Sequence, residues 1–261
     1  MDANELKIKE KYLDEVQNPL PYISYDGKPL VSLVVLSFNR PNYLANTLLS
    51  LKENTHYPYE LIVVDDGSMT NSNVPLLQEM AEEKELSCLV INPGKNQGVG
   101  ASINKGFHMA HGKYLVKLDS DLKYKPGWLT KAVALMETFP EVGILGLFKY
   151  HHPPCVWQEM LIRKETRDGL TIEIHKDQVG STMMYHRAVY EAYGDFTEGS
   201  FAHGADYVYK MKLRDEGWWI CLPEDDLVEN YGFGLPYTSL VWRGEEVTVS
   251  KTPLIFGDKN E

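Results

Sequence analysis

The chain is short of cysteine, of net positive charge and of long apolar runs, and each shortage excludes something. Its 261 residues include three cysteines, Cys88, Cys155 and Cys221, with none of the close spacings that hold a structural metal. An odd number of thiols inside apolar runs points to reduced core residues rather than a disulfide framework. Lys and Arg number 26 against 37 Asp and Glu, a net charge of −11. That balance argues against non-specific binding to nucleic acid or to an anionic membrane. No apolar run approaches the roughly 20 residues of a spanning helix, and the charged N-terminus has no apolar signal core. The expectation is a cytoplasmic protein with no transmembrane segment. Nor is there a phosphate-binding P-loop, since no Gly-Lys-Ser/Thr follows the glycines around Gly94. Gly98-Val99-Gly100 also lacks the third glycine of the dinucleotide fingerprint.

What is present is an apolar content of 43%, enough to bury a core, and a regular alternation of apolar runs with helical patterns. Val31–Leu36 reads as a buried parallel strand. It ends in Ser37-Phe38-Asn39-Arg40-Pro41, where Pro41 suits the first turn of a helix over 41–53. A second strand, Glu60–Val64, ends in Asp65-Asp66-Gly67-Ser68 and precedes a polar helix over 73–84. A third, Ser87–Ile91, leads through the glycine-rich turn Asn92–Gly100 into a helix that runs to Ala110. A fourth, from Gly112 to Leu118, ends in Asp119-Ser120-Asp121. This alternation predicts an α/β fold with a mainly parallel central sheet flanked by helices. Ligands of such sheets bind beyond the carboxyl ends of the strands. The polar clusters sit there: Ser37 and Asn39, Asp65 and Asp66, Asn96 and Gly98, Asp119 and Asp121. Helix caps and solvated turns are the plainer explanation of any one cluster. Asp119 and Asp121 point to one side of the strand, and two adjacent carboxylates repel unless a cation lies between them. A hard divalent ion, Mn or Mg, suits such oxygen ligands and normally shares phosphate oxygens of a substrate.

Taken in series, Val31–Arg40, Val63–Ser68, the spacing of Asn96, Gly98, Asn104 and Gly106, and Leu118–Asp121 resemble the family 2 glycosyltransferases. The resemblance runs through residues 31–135 and resumes over 180–234 at Gly180–Met184, Arg187 and Gly194-Asp195-Phe196. It implies a single domain of the GT-A fold, a divalent ion, and mostly inverting transfer from a nucleoside diphosphate sugar, UDP-sugars first, to a saccharide, lipid-linked, protein or other hydroxyl acceptor. Carried over by position, it places Ser37, Asn39 and Arg40 on the first donor loop. Asp66 lies at the nucleobase with Asp65 beside it, and Asn96 and Asn104 border the nucleotide. Asp119 and Ser120 lie near the ribose, Asp121 with Asp119 on the ion, and Asp206 is the general base. In two places the chain departs from the pattern. Ala205 stands where the family has an acidic neighbour of the base. No histidine stands in 224–231 to complete the ion's ligands, which leaves Glu229 and Asn230 as the nearest oxygen donors. Trp157, in the variable segment 148–178, and His203 are candidates for the acceptor side. The implied organisation is an N-terminal extension over 1–30, a donor half over 31–135, an acceptor half over 136–234, and a tail or lid over 235–261. Two alternatives remain on the residues alone: a non-catalytic nucleotide- or carbohydrate-binding module, and a sugar-phosphate nucleotidyltransferase. The second requires a glycine-rich loop after the first strand, which Ser37–Arg40 is not.

Overall fold

The structure, a computed structural model, describes residues 23–69, 73–92, 95–149, 160–176, 182–199 and 205–230, and the backbone of 240–242 and 245–247. Two short strands, β1 (Ser24–Tyr25) and β2 (Lys28–Pro29), form a hairpin ahead of the main sheet. Then follow β3 (Val31–Ser37), α1 (Pro41–Asn54), β4 (Tyr59–Asp65), α2 (Asn73–Glu82), β5 (Cys88–Ile91), α3 (Val99–His108) and β6 (Tyr114–Leu118). These match the predicted strand–helix alternation to within a few residues at each end. The chain continues through β7 (Leu122–Tyr124), α4 (Trp128–Thr138), β8 (Val142–Gly146), β9 (Leu161–Arg167) and β10 (Leu170–His175). Next come β11 (Met183–His186), α5 (Arg187–Tyr193), α6 (Ala205–Asp215), β12 (Trp219–Pro223) and β13 (Val228–Asn230), with β14 (Leu240–Trp242) and β15 (Glu245–Val247) as a last pair.

Nine strands form one sheet in the order β5-β4-β3-β6-β11-β8-β12-β10-β9. The first four are mutually parallel, as predicted. Strand β11 enters antiparallel between β6 and β8, and β12 lies parallel to β8. The β9–β10 hairpin turns at Asp168 and Gly169, both at positive φ, and closes the far edge. A paired positive φ in a two-residue turn matches the right-handed twist of the strands it joins.

Alternation along each strand sends side chains to two cores. Val31, Leu33 and Val35 join Leu61, Val63 and Val116 under α1, α2 and α4. Val34, Ile62, Val64 and Leu115 meet Ile103 of α3, Val189 of α5, and Tyr209 and Leu213 of α6. The second face is tightly closed: a Cβ on Gly106 of α3 would collide with Val34. Among the described residues no helix is long and apolar enough to cross a membrane. Cys88 and Cys221 are free thiols, and Cys155 lies outside the described residues.

His186 closes β11 in an apolar setting. Its ring lies 5.1 Å from that of Tyr114, and its Nε2 is buried without a hydrogen-bond partner. Burial, with a smaller push from Lys113, lowers its pKa to about 3. The unfolded chain therefore takes up this proton near the ordinary value of about 6.5 while the folded chain does not. The corresponding stability is present above that pH and is lost progressively as pH falls toward about 3. His186→Leu should flatten this acid limb by on the order of 2 kcal/mol between pH 6.5 and 4.5. Urea unfolding of both proteins across that range checks it; parallel stability curves would contradict it.

Candidate active site

The polar ends of β3, β4 and β6 lie side by side, because these strands are neighbours in register. Asp65, fully buried, accepts hydrogen bonds from Ser37 Oγ at 3.0 Å and from Ser68 through its N–H at 2.9 Å and its Oγ at 2.6 Å. Asn73, at the start of α2, donates to Ser37 Oγ at 2.5 Å. Ser37 and Asp65 thus stitch the two strand ends together beneath the surface. Asn39 holds φ at +49°, a left-handed conformation that Asn tolerates better than most residues. From there its N–H donates to Ser68 Oγ and its Oδ1 accepts from the Met69 N–H, both at 2.8 Å. The two loops are laced into one rim.

Asp66 organises the next loop. Its carboxylate accepts from Asn92 Nδ2 at 2.8 Å and from the N–H groups of Gln97 and Gly98 at 2.9 Å each. Asn96 Oδ1 also accepts from the Gly98 N–H, and Lys105 donates to the side chains of Asn92 and Gln97. Gly67 makes the close approach possible, since a Cβ there would sit 2.8 Å from the Lys95 carbonyl carbon. Asp66→Ala removes three charge-assisted bonds that shape this loop. It should weaken nucleoside diphosphate binding about tenfold, the loss of roughly 1.5 kcal/mol. Calorimetric titration of wild type and variant checks this, and equal affinities would refute a binding role for the loop.

Asn104 is buried on α3 and committed elsewhere. It donates to the Phe196 carbonyl at 3.0 Å and to Glu198 at 3.1 Å, and accepts from the Phe196 N–H at 2.8 Å. The helix is thereby pinned to the 194–199 loop, which Gly100 also meets closely: a Cβ there would collide with the Thr197 carbonyl.

The carboxylates that follow β6 form the charged centre. Asp119 Oδ1 accepts from Lys117 Nζ at 2.6 Å, and its Oδ2 lies 3.4 Å from the Thr182 hydroxyl. Ser120, between the two carboxylates, is buried. Asp121 Oδ2 accepts from Arg40 Nη1 and Oδ1 from Asn230 Nδ2, each at 3.0 Å. The Arg40 guanidinium lies over the Tyr43 ring, 4.7 Å from its centroid. Burial and then the Asp119 charge raise the pKa of Asp121, while Arg40 opposes the shift. Lys117 projects from β6 toward α6 and reaches Asp206 Oδ2 at 3.7 Å. Its side chain is only 3% exposed, so this cation is buried between two carboxylates. Asp206 stands in the first turn of α6, where the helix dipole favours a negative charge. Its Oδ1 is buried with no hydrogen-bond partner among the described residues.

The structure therefore gathers Ser37, Asn39, Arg40, Asp65, Asp66, Asn96, Asp119, Ser120, Asp121, Asn230 and Asp206 at the C-terminal edge of the sheet. Glu229 is not brought in: it precedes Asn230 on β13, so it faces the opposite side, and it is exposed. Trp157 and His203 lie outside the described residues. Lys117 and Thr182 join the site without having been singled out in the sequence. The signal for Lys117 was present, a single cation inside an otherwise apolar buried strand two residues before Asp119. Among the described residues no group of three or more His, Cys, Asp or Glu side chains is placed to hold a metal. The oxygen-only set of Asp119, Asp121 and the Asn230 amide nonetheless fits a hard divalent ion of the kind that keeps substrate phosphates and water in its shell.

Comparison with known proteins agrees with this geometry. Residues 32–194 match the family model described as glycosyl transferase family 2. An uncharacterized glycosyltransferase of Nostoc sp., alr2836, is 34% identical over 119 residues, covering 44% of this chain and 35% of that protein. The structure of S. aureus TarS 1-349 in complex with UDP-GlcNAc superposes with a TM-score of 0.61 at 19% identity, covering 76% of this chain and 57% of that one. The mannosyltransferase PcManGT from Pyrobaculum calidifontis, in complex with GDP-Man and Mn2+, gives a TM-score of 0.55 at 18% identity, covering 82% and 63%. The chain thus spans about a third of the Nostoc protein and about three fifths of the two solved chains. At these identities the structural likeness establishes the shared GT-A fold and nothing finer.

Proposed function

The chain belongs to glycosyl transferase family 2, and we propose that it transfers a sugar from a nucleoside diphosphate sugar to a hydroxyl acceptor with inversion at the anomeric carbon. One observation carries the reading: the buried, unpartnered Oδ1 of Asp206 lies across Lys117 from the Asp119–Asp121 pair. A buried carboxylate oxygen without a donor is uncommon and calls for an explanation. Here the explanation is a proton acceptor awaiting an acceptor hydroxyl.

In this scheme the rim of Asn39 and the Asp66-shaped loop hold the nucleotide. Asp121, Asp119 and Asn230 would hold a divalent ion, Mn or Mg, which would supply neutralisation of the leaving diphosphate. The Asn230 amide, which donates through its nitrogen to Asp121 in the donor-free protein, would turn to offer its oxygen. The acceptor oxygen bonds to the anomeric carbon as its proton passes to the Asp206 carboxylate, whose side chain is 19% exposed. The bond from that carbon to the diphosphate oxygen breaks with its electron pair, and attack on the opposite face inverts the centre. Lys117 holds Asp206 beside the donor-side carboxylates, so that base and leaving-group machinery share one buried cation. Residues 31–135 serve as the donor half and 136–234 as the acceptor half of one domain, working in the cytoplasm.

Both UDP and GDP donors belong in the test, because the two ligand-bound neighbours carry UDP-GlcNAc and GDP-Man. A thermal-shift screen of UDP- and GDP-sugars with and without Mn should give a rise that needs both sugar nucleotide and ion. No rise with any donor, in either condition, would reject the reading. A non-catalytic binding module, which Ala205 in place of an acidic residue would suit, predicts the same rise without turnover.

A further inference from the structure

Arg40 occupies the carboxylate that the ion requires. Its Nη1 bonds Asp121 Oδ2 at 3.0 Å while Asn230 Nδ2 bonds Oδ1 at the same distance. At Asp119, Oδ1 is held by Lys117 and Oδ2 by Thr182. All four oxygens of the pair thus already have protein donors. Lys117 and Arg40 supply two positive charges against the three carboxylates of Asp119, Asp121 and Asp206. A bare divalent ion entering this site adds two positive charges directly beside the cations of Arg40 and Lys117. The complex of a divalent ion with a nucleoside diphosphate sugar adds none, because the diphosphate carries two negative charges.

We infer that Arg40 is a stand-in cation that makes the divalent ion and the nucleoside diphosphate bind as one unit. It holds Asp121 in the donor-free protein and gives that carboxylate up only when a diphosphate arrives to receive the guanidinium. Several features suit Arg40 to the exchange. Its side chain is 32% exposed, whereas that of Lys117 is 3% exposed and locked between Asp119 and Asp206. Of the two cations, only Arg40 is at liberty to move. It stands on the loop after β3 at the rim of the donor site, and the Tyr43 ring beneath it supports a planar cation. A guanidinium pairs with phosphate oxygens in the same forked manner as with a carboxylate. Leaving Asp121 for a diphosphate therefore exchanges one strong partner for another, while a bare ion offers Arg40 nothing in return. The proposal rests on the nucleotide-sugar reading for the identity of the diphosphate, but the competition between Arg40 and the ion at Asp121 does not.

The test is binding of Mn to the full chain, followed by the electron paramagnetic resonance signal of free Mn, with no nucleotide, with UDP and with GDP. The values are corrected for the Mn–nucleotide complex that forms without protein. For the wild type, one of the two nucleotides should tighten Mn binding by roughly 10–100-fold, within the usual range of coupling between sites. Arg40→Gln, which removes the charge, should bind Mn alone about tenfold tighter than wild type, and the coupling should shrink correspondingly. Arg40→Lys, a conservative cation, should retain part of the coupling. Circular dichroism confirms that the variants fold; Arg40→Lys carries the test should Arg40→Gln fail to. Wild-type Mn affinity that is equal with and without a bound nucleotide overturns the inference, as does unchanged Mn affinity in Arg40→Gln. Failure of both nucleotides to bind overturns the functional reading instead, and leaves the comparison of Mn alone between wild type and Arg40→Gln to judge the stand-in role.

Discussion

Asp206→Asn is expected to lower turnover by about 10²–10⁴-fold, the usual loss when a general base is removed, with donor affinity near that of wild type. The substitution keeps the shape of the side chain and the start of α6. It removes the charge that faces Lys117 and leaves an amide that cannot take up the acceptor's proton. A base is used in the transition state and contributes little to ground-state binding, so the loss appears in kcat rather than in donor dissociation. Measurement needs a donor identified by thermal shift, release of its nucleoside diphosphate as the readout, and calorimetry for affinity. Turnover at the wild-type level would reduce Asp206 to a helix-terminal carboxylate, and His203 would be the next group to substitute.

Lys117→Met is expected to damage both stability and turnover. The side chain fits the space, but the substitution strands two carboxylates around a site that is only 3% exposed for the lysine itself. Breaking a buried ion pair from one side costs roughly 3–5 kcal/mol. Asp119 is 25% and Asp206 19% exposed, so water recovers part of the loss, and a figure near about 3 kcal/mol is expected. Turnover should fall more than stability alone explains, because Asp206 loses the group that fixes its position. Lys117→Arg, which retains the charge, should restore most of the stability in urea unfolding. A Lys117→Met protein as stable and as active as wild type would show that the lysine is a bystander.

The parallel half of the sheet announced itself because β3, β4 and β6 are buried on both faces, and so read as continuous apolar runs with polar ends. Their register then follows from pairing, and it brings Ser37, Asp65 and Asp119 into one region with no further information. Roles that depend on long-range contacts were hidden. Asn104 reads as a polar residue on the helix after a glycine-rich turn; its pairing with Phe196, 92 residues away, is a tertiary fact. Asp66 reads as a single ligand-facing carboxylate, yet it holds a loop in shape through three donors supplied by residues 92–98. Glu229 and Asn230 read as equal candidates, and only the alternation of β13 against β7 sends one inward and the other to solvent. Lys117 is hidden for an opposite reason. Its pattern is that of a strand interior, where a lysine is rare unless paired; Asp119 is two residues away, but Asp206 comes within reach only through the fold.

The most direct measurement of the central claim is calorimetric titration of the full chain with UDP and with GDP in the presence of Mn, repeated on Asp121→Ala. The account predicts one-to-one binding of at least one nucleotide to the wild type, and its loss in the variant, because the ion and the diphosphate need the Asp121 carboxylate between them. Saturable binding that persists unchanged in Asp121→Ala, or no binding of either nucleotide to the wild type, would contradict a nucleoside diphosphate sugar site at the carboxyl ends of these strands.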